Sequence, residues 1–293
     1  MLEGTIIKAL SGFYYVNDGQ QQIQCRARGV FRKRGLSPLV GDHVGYEAKK
    51  PTDGYILSIQ KRKNELKRPP IANIDQAILV FSVAEPAFDS QLLDRFLVQM
   101  EAQNIDPLIC LTKWDLLSQV EAEAMRLRVD TYARIGYPVV ITSSMNNEGL
   151  DALRNQMENR ISVITGQSGV GKSTLLNHLN QSLSIDTQAI SQSLGRGKHT
   201  TRHVELMPIG VNGYVADTPG FSSLELPDIT VTELEHCFPE FDGYRDHCRF
   251  RGCTHIAEPD CMVKEAISEK KIDQKRYAHY QVFFNEINQR KKY

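Results

Sequence analysis

One eight-residue segment constrains the fold of this chain more than any other feature of the sequence. It runs from Gly166 to Ser173, reads GQSGVGKS and matches the pattern G-x-x-x-x-G-K-[ST]. The apolar run ISVIT precedes it and the helical pattern STLLNHL overlaps its end, which is the strand, loop and helix context of a phosphate-binding loop. In such loops backbone N–H groups point at phosphate oxygens, the lysine contacts the β and γ phosphates, and the serine hydroxyl ligates Mg²⁺. We therefore expect phosphate binding, with Lys172 also acting in catalysis and Ser173 as a magnesium ligand, by Gly166, Gln167, Ser168, Gly169, Val170, Gly171, Lys172, Ser173 and Thr174.

Residues 112–115, TKWD, bear on which base is bound, because ATPases, kinases and GTPases share the phosphate-binding loop. At the end of the strand pattern PLICLT, the Asp115 carboxylate can accept two hydrogen bonds from guanine, whereas adenine lacks this pair of donors. The usual GTPase form is N-K-x-D, so Thr112 departs from it, and the tetrapeptide alone is also compatible with a surface turn. We place these residues in a guanine site together with the segment after the next strand: Thr112, Lys113, Trp114, Asp115, Thr142, Ser143 and Ser144.

Residues 217–220, DTPG, close the strand pattern GYVA and fit the motif D-x-x-G. Asp217 would hold a water on Mg²⁺, and the Gly220 N–H would meet the γ phosphate. Between this motif and the phosphate-binding loop lies the basic stretch GRGKHTTR, in which Thr200 or Thr201 would complete the magnesium shell. The sequence does not decide between these two threonines.

The residue that handles the attacking water is less evident. Many GTPases carry a water-orienting Gln after D-x-x-G, but Phe221 cannot align a water, so we expect slow intrinsic hydrolysis. His199 stands beside the two threonines and is chemically able to orient or deprotonate the water. A solvated histidine in a basic loop is the alternative interpretation, and both stay open.

The order of these motifs is unusual. An ordinary GTPase runs from the phosphate-binding loop through the switch threonine and D-x-x-G to the base-specificity segments, whereas residues 112–115 and 142–144 here precede residue 166. This order predicts a circular permutation, which a domain tolerates because its termini usually lie at the surface and close together.

The hydrophobic patterns predict three domains. Residues 1–67 read as about five short strands separated by turn signals, which favours an OB-fold barrel that binds RNA. Residues 68–225 alternate buried strands with amphipathic helices, the latter expected near 90–102, 118–135 and 150–157 and after Lys172, which predicts an α/β GTPase domain with a parallel sheet. Residues 226–293 predict a mainly helical zinc-binding module, and KRKNELKR at 61–68 has the composition of an exposed, stiff linker.

Charge is distributed unevenly although the net charge is zero. Residues 1–68 carry 13 Lys and Arg against 6 Asp and Glu, which favours a polyanionic partner at this end or, alternatively, an ordinary solvated surface. Five basic residues adjoin Phe31, a potential stacking residue for RNA: Arg26, Arg28, Arg32, Lys33 and Arg34.

Four residues near the C-terminus form the pattern C-x4-C-x-H-x5-C: Cys248, Cys253, His255 and Cys261. Three thiolates and one imidazole form a closed tetrahedral set, which predicts one structural zinc ion, with accidental clustering as the alternative. The remaining cysteines are scattered, and Cys110 lies in an apolar run typical of a core. No apolar run is long enough to cross a bilayer and no secretory signal is evident, so we expect a cytoplasmic protein.

Together these motifs resemble the RsgA family of circularly permuted GTPases over essentially the full chain. The resemblance rests on the barrel pattern, the permuted order, GQSGVGKS, GRGKHTTR, DTPG followed by Phe, and the Cys/His pattern. It implies binding to the small (30S) ribosomal subunit and its 16S rRNA in the GTP state, assistance in late maturation, and release after ribosome-stimulated hydrolysis. An RNA-binding assembly module in which hydrolysis is incidental is the alternative, and a monomer is the default expectation.

Overall fold

The computed structural model describes residues 1–33, 35–67, 69–181, 204–217 and 225–290. Its N-terminal part is a closed five-stranded barrel with the strand order β1-β2-β3-β5-β4, and β4 pairs back with β1. This confirms the predicted OB-fold barrel. The elements of the barrel are β1 (Leu2–Leu10), β2 (Phe13–Asn17), β3 (Gln22–Ala27), α1 (Gly29–Lys33), β4 (His43–Ala48) and β5 (Gly54–Ile59).

Part of the segment from 61 to 67 differs from the exposed linker that the composition of residues 61–68 predicts. Strand β6 (Glu65–Lys67) pairs with β7 (Pro70–Ala72) in an antiparallel hairpin, and Leu66 and Ile71 are buried. The Arg62 guanidinium donates to both carboxylate oxygens of Asp42, which is buried at the barrel, at 2.7 and 2.8 Å. The prediction of an exposed linker is therefore wrong for Leu66, which is buried, and for Arg62, which is half-buried and pairs with the buried Asp42, whereas Lys61, Lys63 and Glu65 are exposed as predicted. The predicted boundary between residues 67 and 68 lies inside the hairpin and stays a prediction.

The central part is a six-stranded sheet with the order β10-β9-β8-β11-β13-β12. Five strands are parallel, and the edge strand β12 runs antiparallel to β13. Strands β8 and β11 are buried along their whole length, as expected for a parallel sheet covered on both faces. The strands are β8 (Gln76–Ser82), β9 (Asp106–Thr112), β10 (Val139–Ile141), β11 (Ile161–Thr165), β12 (Leu206–Ile209) and β13 (Gly213–Asp217).

Helices cover both faces of this sheet: α2 (Ser90–Glu101) and α3 (Gln119–Ile135) on one face, α4 (Leu150–Met157) and α5 (Lys172–Gln181) on the other. A 3-10 turn, Trp114–Leu116, precedes α3. Helix α3 begins after Ser118, whose hydroxyl accepts from the Glu121 N–H while the Glu121 side chain returns to the Ser118 N–H. This capping box explains why α3 starts where the sequence predicts. One hydrophobic cluster runs continuously from the barrel interior to the α2 and α3 face, so barrel and sheet share a core.

The C-terminal part is helical and packs around its own apolar cluster, to which Val98 of α2 also belongs. Its aromatic centre includes Phe238, Phe241 and Tyr280, whose ring centroids lie 5.1 to 5.3 Å apart. Within the described residues no helix is long and apolar enough to cross a membrane. The elements are α6 (Val231–His236), a 3-10 turn (Pro239–Phe241), α7 (Asp242–Arg245), α8 (Met262–Ser268) and α9 (Gln274–Arg290).

Candidate nucleotide-binding site and metal centre

The predicted nucleotide segments lie together at the carboxyl edge of the sheet. Residues 112–115 follow β9, residues 142–144 follow β10, the loop at 166 follows β11, and Asp217 ends β13. Because all four strands are parallel, their carboxyl ends meet at the same edge. This is where open α/β sheets bind their ligands.

The loop between β11 and α5 has the backbone shape that phosphate binding requires. Gly166 has a φ of 150°, and a Cβ there would lie 2.2 Å from the Val80 carbonyl oxygen, so no larger residue fits. Gly169 and Gly171 also have positive φ values, 83° and 99°. The Lys172 ammonium donates to the carbonyls of Gly166 at 2.8 Å and Gln167 at 2.7 Å, which places the cation directly over the loop.

The remaining loop residues divide into an exposed and a buried set. Val170 is buried in the core under α5, which anchors the loop. Ser168, Ser173 and Thr174 are exposed at the loop and at the start of α5, while Gln167 is half-buried. The hydroxyl predicted to ligate magnesium is therefore accessible to solvent.

Thr112 and Lys113 bind directly to this loop although more than fifty residues separate them from it. The Thr112 hydroxyl is buried and donates to the Val170 carbonyl at 2.6 Å. Lys113 adopts a left-handed conformation, with φ of 61°, and its ammonium donates to the Gly169 carbonyl at 2.8 Å and to the Glu85 carbonyl. Sequence reasoning treated Thr112 only as a departure from Asn and missed that its hydroxyl ties the base segment to the phosphate loop.

Asp115 and Ser143 meet at the end of β9 and β10. The Ser143 hydroxyl donates to Asp115 Oδ1 at 2.5 Å, which orients the exposed carboxylate. The Trp114 N–H donates to the Thr142 carbonyl at 3.3 Å, and the buried Thr142 hydroxyl donates to the Leu111 carbonyl at 2.9 Å. These bonds hold the two predicted guanine segments as one unit. Ser144, the third residue of the second segment, is half-buried beside them.

The predicted switch residues fall largely outside the described part of the chain. Asp217 ends β13, whose backbone pairs with β11 beside the phosphate loop. His199, Thr200, Thr201 and Gly220 lie outside the described residues, so their proposed roles in hydrolysis and magnesium binding stay predictions.

The four predicted zinc ligands come together in the C-terminal part. Their ligand atoms all lie within 4.8 Å of one another. Cys248 Sγ is 3.9 Å from Cys261 Sγ and 3.7 Å from His255 Nδ1, and His255 Nδ1 is 3.3 Å from Cys261 Sγ. A tetrahedral zinc site with Zn–S of 2.3 Å requires S–S separations of about 3.8 Å. The cluster therefore has the donor types and the spacing of a closed zinc site.

Glu235 orients the histidine of this cluster from α6. Its carboxylate accepts from His255 Nε2 at 2.8 Å, which leaves Nδ1 facing the three thiols. Burial lowers the pKa of His255, although Glu235 opposes this, and it raises the pKa of the Cys253 and Cys261 thiols. A carboxylate behind a ligating histidine is a common second partner in zinc sites. The spacing of the four ligands in the sequence did not indicate that Glu235 would contact His255.

Comparison with known proteins agrees with these features. The family model described as RsgA GTPase matches residues 59–227, and the model described as RsgA N-terminal domain matches residues 3–56. The chain belongs to the RsgA GTPase family. Among curated members, the small ribosomal subunit biogenesis GTPase RsgA of Halalkalibacterium halodurans is 56% identical over 98% of this chain and 97% of its own length. The protein of the same name from Bacillus cereus is 55% identical over 99% of each chain.

Two solved structures share the RsgA fold of this chain. YloQ, described as a circularly permuted GTPase, superposes with a TM-score of 0.85 at 46% identity, covering 99% of this chain and 96% of that one. YjeQ from Thermotoga maritima has a TM-score of 0.87 at 35% identity, covering 98% of both chains. The permuted order predicted from the motifs is therefore confirmed, and this RsgA protein is a GTP hydrolase that uses Mg²⁺ with GTP.

Proposed function

We propose that this RsgA protein binds the small (30S) ribosomal subunit in its GTP state, assists late maturation of that subunit, and is released when the subunit stimulates GTP hydrolysis. The curated relatives, at 54 to 56% identity over almost the whole chain, carry names that refer to small-subunit biogenesis. The main structural support for GTP binding is the pair of hydrogen bonds from the Thr112 hydroxyl and the Lys113 ammonium to carbonyls of the phosphate loop. Base recognition and phosphate binding are thereby coupled within one rigid edge of the sheet.

Each residue of the proposed site has a distinct part in this reaction. The Asp115 carboxylate, held by Ser143, accepts two hydrogen bonds from guanine. The Lys172 ammonium exchanges its two backbone acceptors for oxygens of the β and γ phosphates and neutralises charge as the γ phosphoryl group leaves. Ser173 and one of the two switch threonines are the proposed magnesium ligands, and bound Mg²⁺ supplies charge neutralisation between the phosphates. His199 is the proposed residue that orients the attacking water.

The C-terminal cluster is proposed to hold one structural zinc ion. All four donors are protein side chains, so no ligand position is left for substrate. Metal binding would stabilise residues 246–261, which form neither helix nor strand between α7 and α8. The proposed partners are the small subunit and its 16S rRNA with GTP or GDP, and the protein is proposed to act in the cytoplasm as a monomer.

The decisive measurement is GTP hydrolysis by the purified protein at fixed salt, with and without small ribosomal subunits. We expect acceleration on the order of 10³-fold or more, comparable to that from a catalytic group supplied in trans. The His199→Ala variant should lose the acceleration but keep GTP binding, whereas Lys172→Ala should lose both. If the subunits bind the protein without accelerating hydrolysis, the alternative of an RNA-binding module with incidental GTP turnover replaces the proposal.

A further inference from the structure

A cleft of about 250 Å³ lies where α9 of the C-terminal part meets α2 and α3 of the GTPase domain. Four of the side chains that line it are polar and buried: Asp94, Tyr132, Arg276 and His279. The described residues around it include none to which we assigned nucleotide or zinc binding. Sites for drug-sized ligands usually enclose roughly 300–1,000 Å³, so a cleft of this size fits a smaller molecule.

One of these buried side chains has a nitrogen without a protein partner. His279 is only 8% exposed, and its Nδ1 lies 2.5 Å from a carboxylate oxygen of Asp94. Within the described parts of the chain, Nε2 on the other side of the ring has no hydrogen-bond partner. Buried polar atoms nearly always have such a partner, so we expect this nitrogen to bind a group that enters the cleft.

Asp94 determines which kind of group that is. Its carboxylate also accepts hydrogen bonds from Tyr132 and Arg276, so it is fully engaged and fixes the imidazole with the Nδ1 proton directed at it. Nε2 then accepts a hydrogen bond from the O–H of an acid or, once protonated, donates one to the corresponding anion. In either protonation state the ring is complementary to an acidic group.

The charges at the mouth of the cleft favour the same class of ligand. Arg128 of α3 and Lys275 of α9 are exposed, and neither forms an ion pair with a described residue. Asp273 on the same edge accepts from the backbone N–H groups of Lys275 and Arg276, so it caps the start of α9. The lining thus contains three Arg or Lys side chains against two Asp side chains, and both carboxylates already accept hydrogen bonds.

The rest of the wall is apolar. Leu127 is 66% exposed at the cleft, so the protein leaves a large aliphatic side chain uncovered there. Phe88 is half-buried, and its ring packs edge-on against Phe81 of the core with the centroids 5.9 Å apart, which fixes its position. An apolar body on the ligand would cover both side chains and remove their surface from water.

We propose that this cleft binds a small organic anion, a carboxylate or a phosphate monoester attached to an apolar ring. The acidic group contacts His279 Nε2 and the two cations at the mouth, Arg128 and Lys275. The ring contacts Phe88 and Leu127. Because α2 belongs to the GTPase domain and α9 to the C-terminal module, a bound anion contacts both and stabilises their junction. The inference does not depend on the proposed action at the ribosome.

The test is NMR of the full-length protein with ¹³C-labelled histidine, saturated with Mg²⁺ and GDP so that the phosphate loop is occupied. Phenyl phosphate and benzoate are titrated separately while the Cε1–H signal of His279, identified by its loss in His279→Asn, is followed. We expect a saturable shift with a Kd on the order of 1 mM, and the tighter of the two probes identifies the preferred acid. Benzamide, which lacks the charge, and inorganic phosphate, which lacks the ring, should each bind roughly 10-fold more weakly.

Substitutions then separate the cleft from other anion sites, with binding measured from the signals of the probe itself. Arg128→Gln and Lys275→Gln should each weaken binding about 2- to 5-fold, since both cations are exposed. Arg126→Gln is the matched control, because Arg126 is exposed on the same helix, lies over the Trp114 ring and is outside the cleft. His279→Asn keeps a donor for Asp94 but lacks Nε2, and should weaken binding about 10-fold or more.

The proposal is wrong if neither anion shifts the His279 signal saturably, or if benzamide binds as tightly as benzoate. Inorganic phosphate binding as tightly as phenyl phosphate would show a bare phosphate site and exclude the proposed class of ligand. Equal losses in Arg128→Gln and Arg126→Gln would place the anion elsewhere. If His279→Asn does not fold, the exposed variants still decide the outcome, because the signals of the probe require no assignment of the protein.

Discussion

At the scale of single residues, the proposed guanine site depends on a carboxylate that is already oriented before any base arrives. Ser143 holds Asp115 at 2.5 Å, and the Trp114 backbone fixes the same segment to Thr142. A ligand therefore meets a fixed acceptor pair, which lowers the entropic cost of recognition. The exposed position of Asp115 leaves its second oxygen open to solvent and to a base.

Exchange of this carboxylate should change the base that is preferred. In Asp115→Asn one acceptor becomes a donor, so we expect GTP affinity to fall at least about 100-fold, since hydrogen bonds to charged groups contribute about 1.5–3 kcal/mol each. Xanthosine triphosphate, which offers the complementary acceptor, should bind better to the variant than to the parent. Asp151→Asn, which alters an exposed aspartate on α4, is the control. Equal GTP affinity in Asp115→Asn and parent, measured with a fluorescent analogue, would show that Asp115 does not read the base.

At the scale of elements, strand and helix positions in the central domain followed from hydrophobic periodicity. The predicted helices near 90–102, 118–135 and 150–157 appear as α2, α3 and α4, because each has a clear apolar stripe and, in α2 and α3, a side-chain cap. The exposed linker expected from the composition of residues 61–68 was wrong for Arg62 and Leu66, since Arg62 is half-buried against Asp42 and Leu66 is buried. The prediction that Phe31 is a stacking residue for RNA was also wrong, because its ring is only 6% exposed and packs in the barrel core. Both outcomes depend on contacts distant in sequence, which local patterns do not contain.

The Cys/His cluster was the other element whose parts could be found by spacing alone. Cys261→Ala should lose the zinc measured by atomic absorption, and the region beyond residue 225 should become sensitive to proteolysis, since metal binding is coupled to folding. Cys237→Ala removes an equally buried thiol outside the cluster and should retain one zinc per chain. Equal zinc content in the two variants would exclude the cluster as the metal site.

The pairing of α2 with α9 should depend on pH through Glu286. The Arg95 side chain hydrogen-bonds Glu286 at 3.0 Å and lowers its pKa, although partial burial opposes this. A pKa that is lower in the folded state stabilises the fold above the unfolded value of about 4.3, and this contribution is lost as pH falls through the lowered value. Because Glu286 is partly exposed, the contribution should be under about 1 kcal/mol.

We therefore expect Glu286→Gln to lower the melting temperature by about 1–3 °C at pH 7, and this difference should shrink as the pH falls below the unfolded pKa of about 4.3. Glu123→Gln changes an exposed carboxylate on α3 that forms no ion pair with any described residue, and should have no such effect. A difference between parent and Glu286→Gln that grows as pH falls would contradict the assignment.

At the scale of the whole molecule, one buried carboxylate joins the GTPase domain to the C-terminal module. Asp94 of α2 accepts from Arg276 at 2.7 Å and Tyr132 at 2.8 Å, and lies 2.5 Å from His279 Nδ1. Arg276 also donates two hydrogen bonds to Glu240. Both Asp94 and Arg276 are almost completely buried, so each supplies the opposite charge that the other needs in the protein interior.

Asp94→Ala should lower the free energy of unfolding by about 3–5 kcal/mol, because Arg276 loses a buried partner. Asp130→Ala breaks an ion pair of similar chemistry with Arg134 on the surface, where both side chains are more than half exposed, and should cost less than about 1 kcal/mol. Urea unfolding followed by circular dichroism compares the two. Similar losses in both variants would mean that the buried network does not hold the module in place.

The strand order also determines what a growing chain is able to do during translation. Strands β8, β9 and β10 are neighbours in both sequence and sheet, so this half can pair while residues beyond 160 are still being synthesised. Only when β11 adds to the free edge of β8 does Val170 reach the Thr112 hydroxyl. An ordinary GTPase is synthesised with its phosphate-binding loop before its base-specificity segments, whereas this chain is synthesised with the proposed base-specificity segments first and the phosphate-binding loop after them.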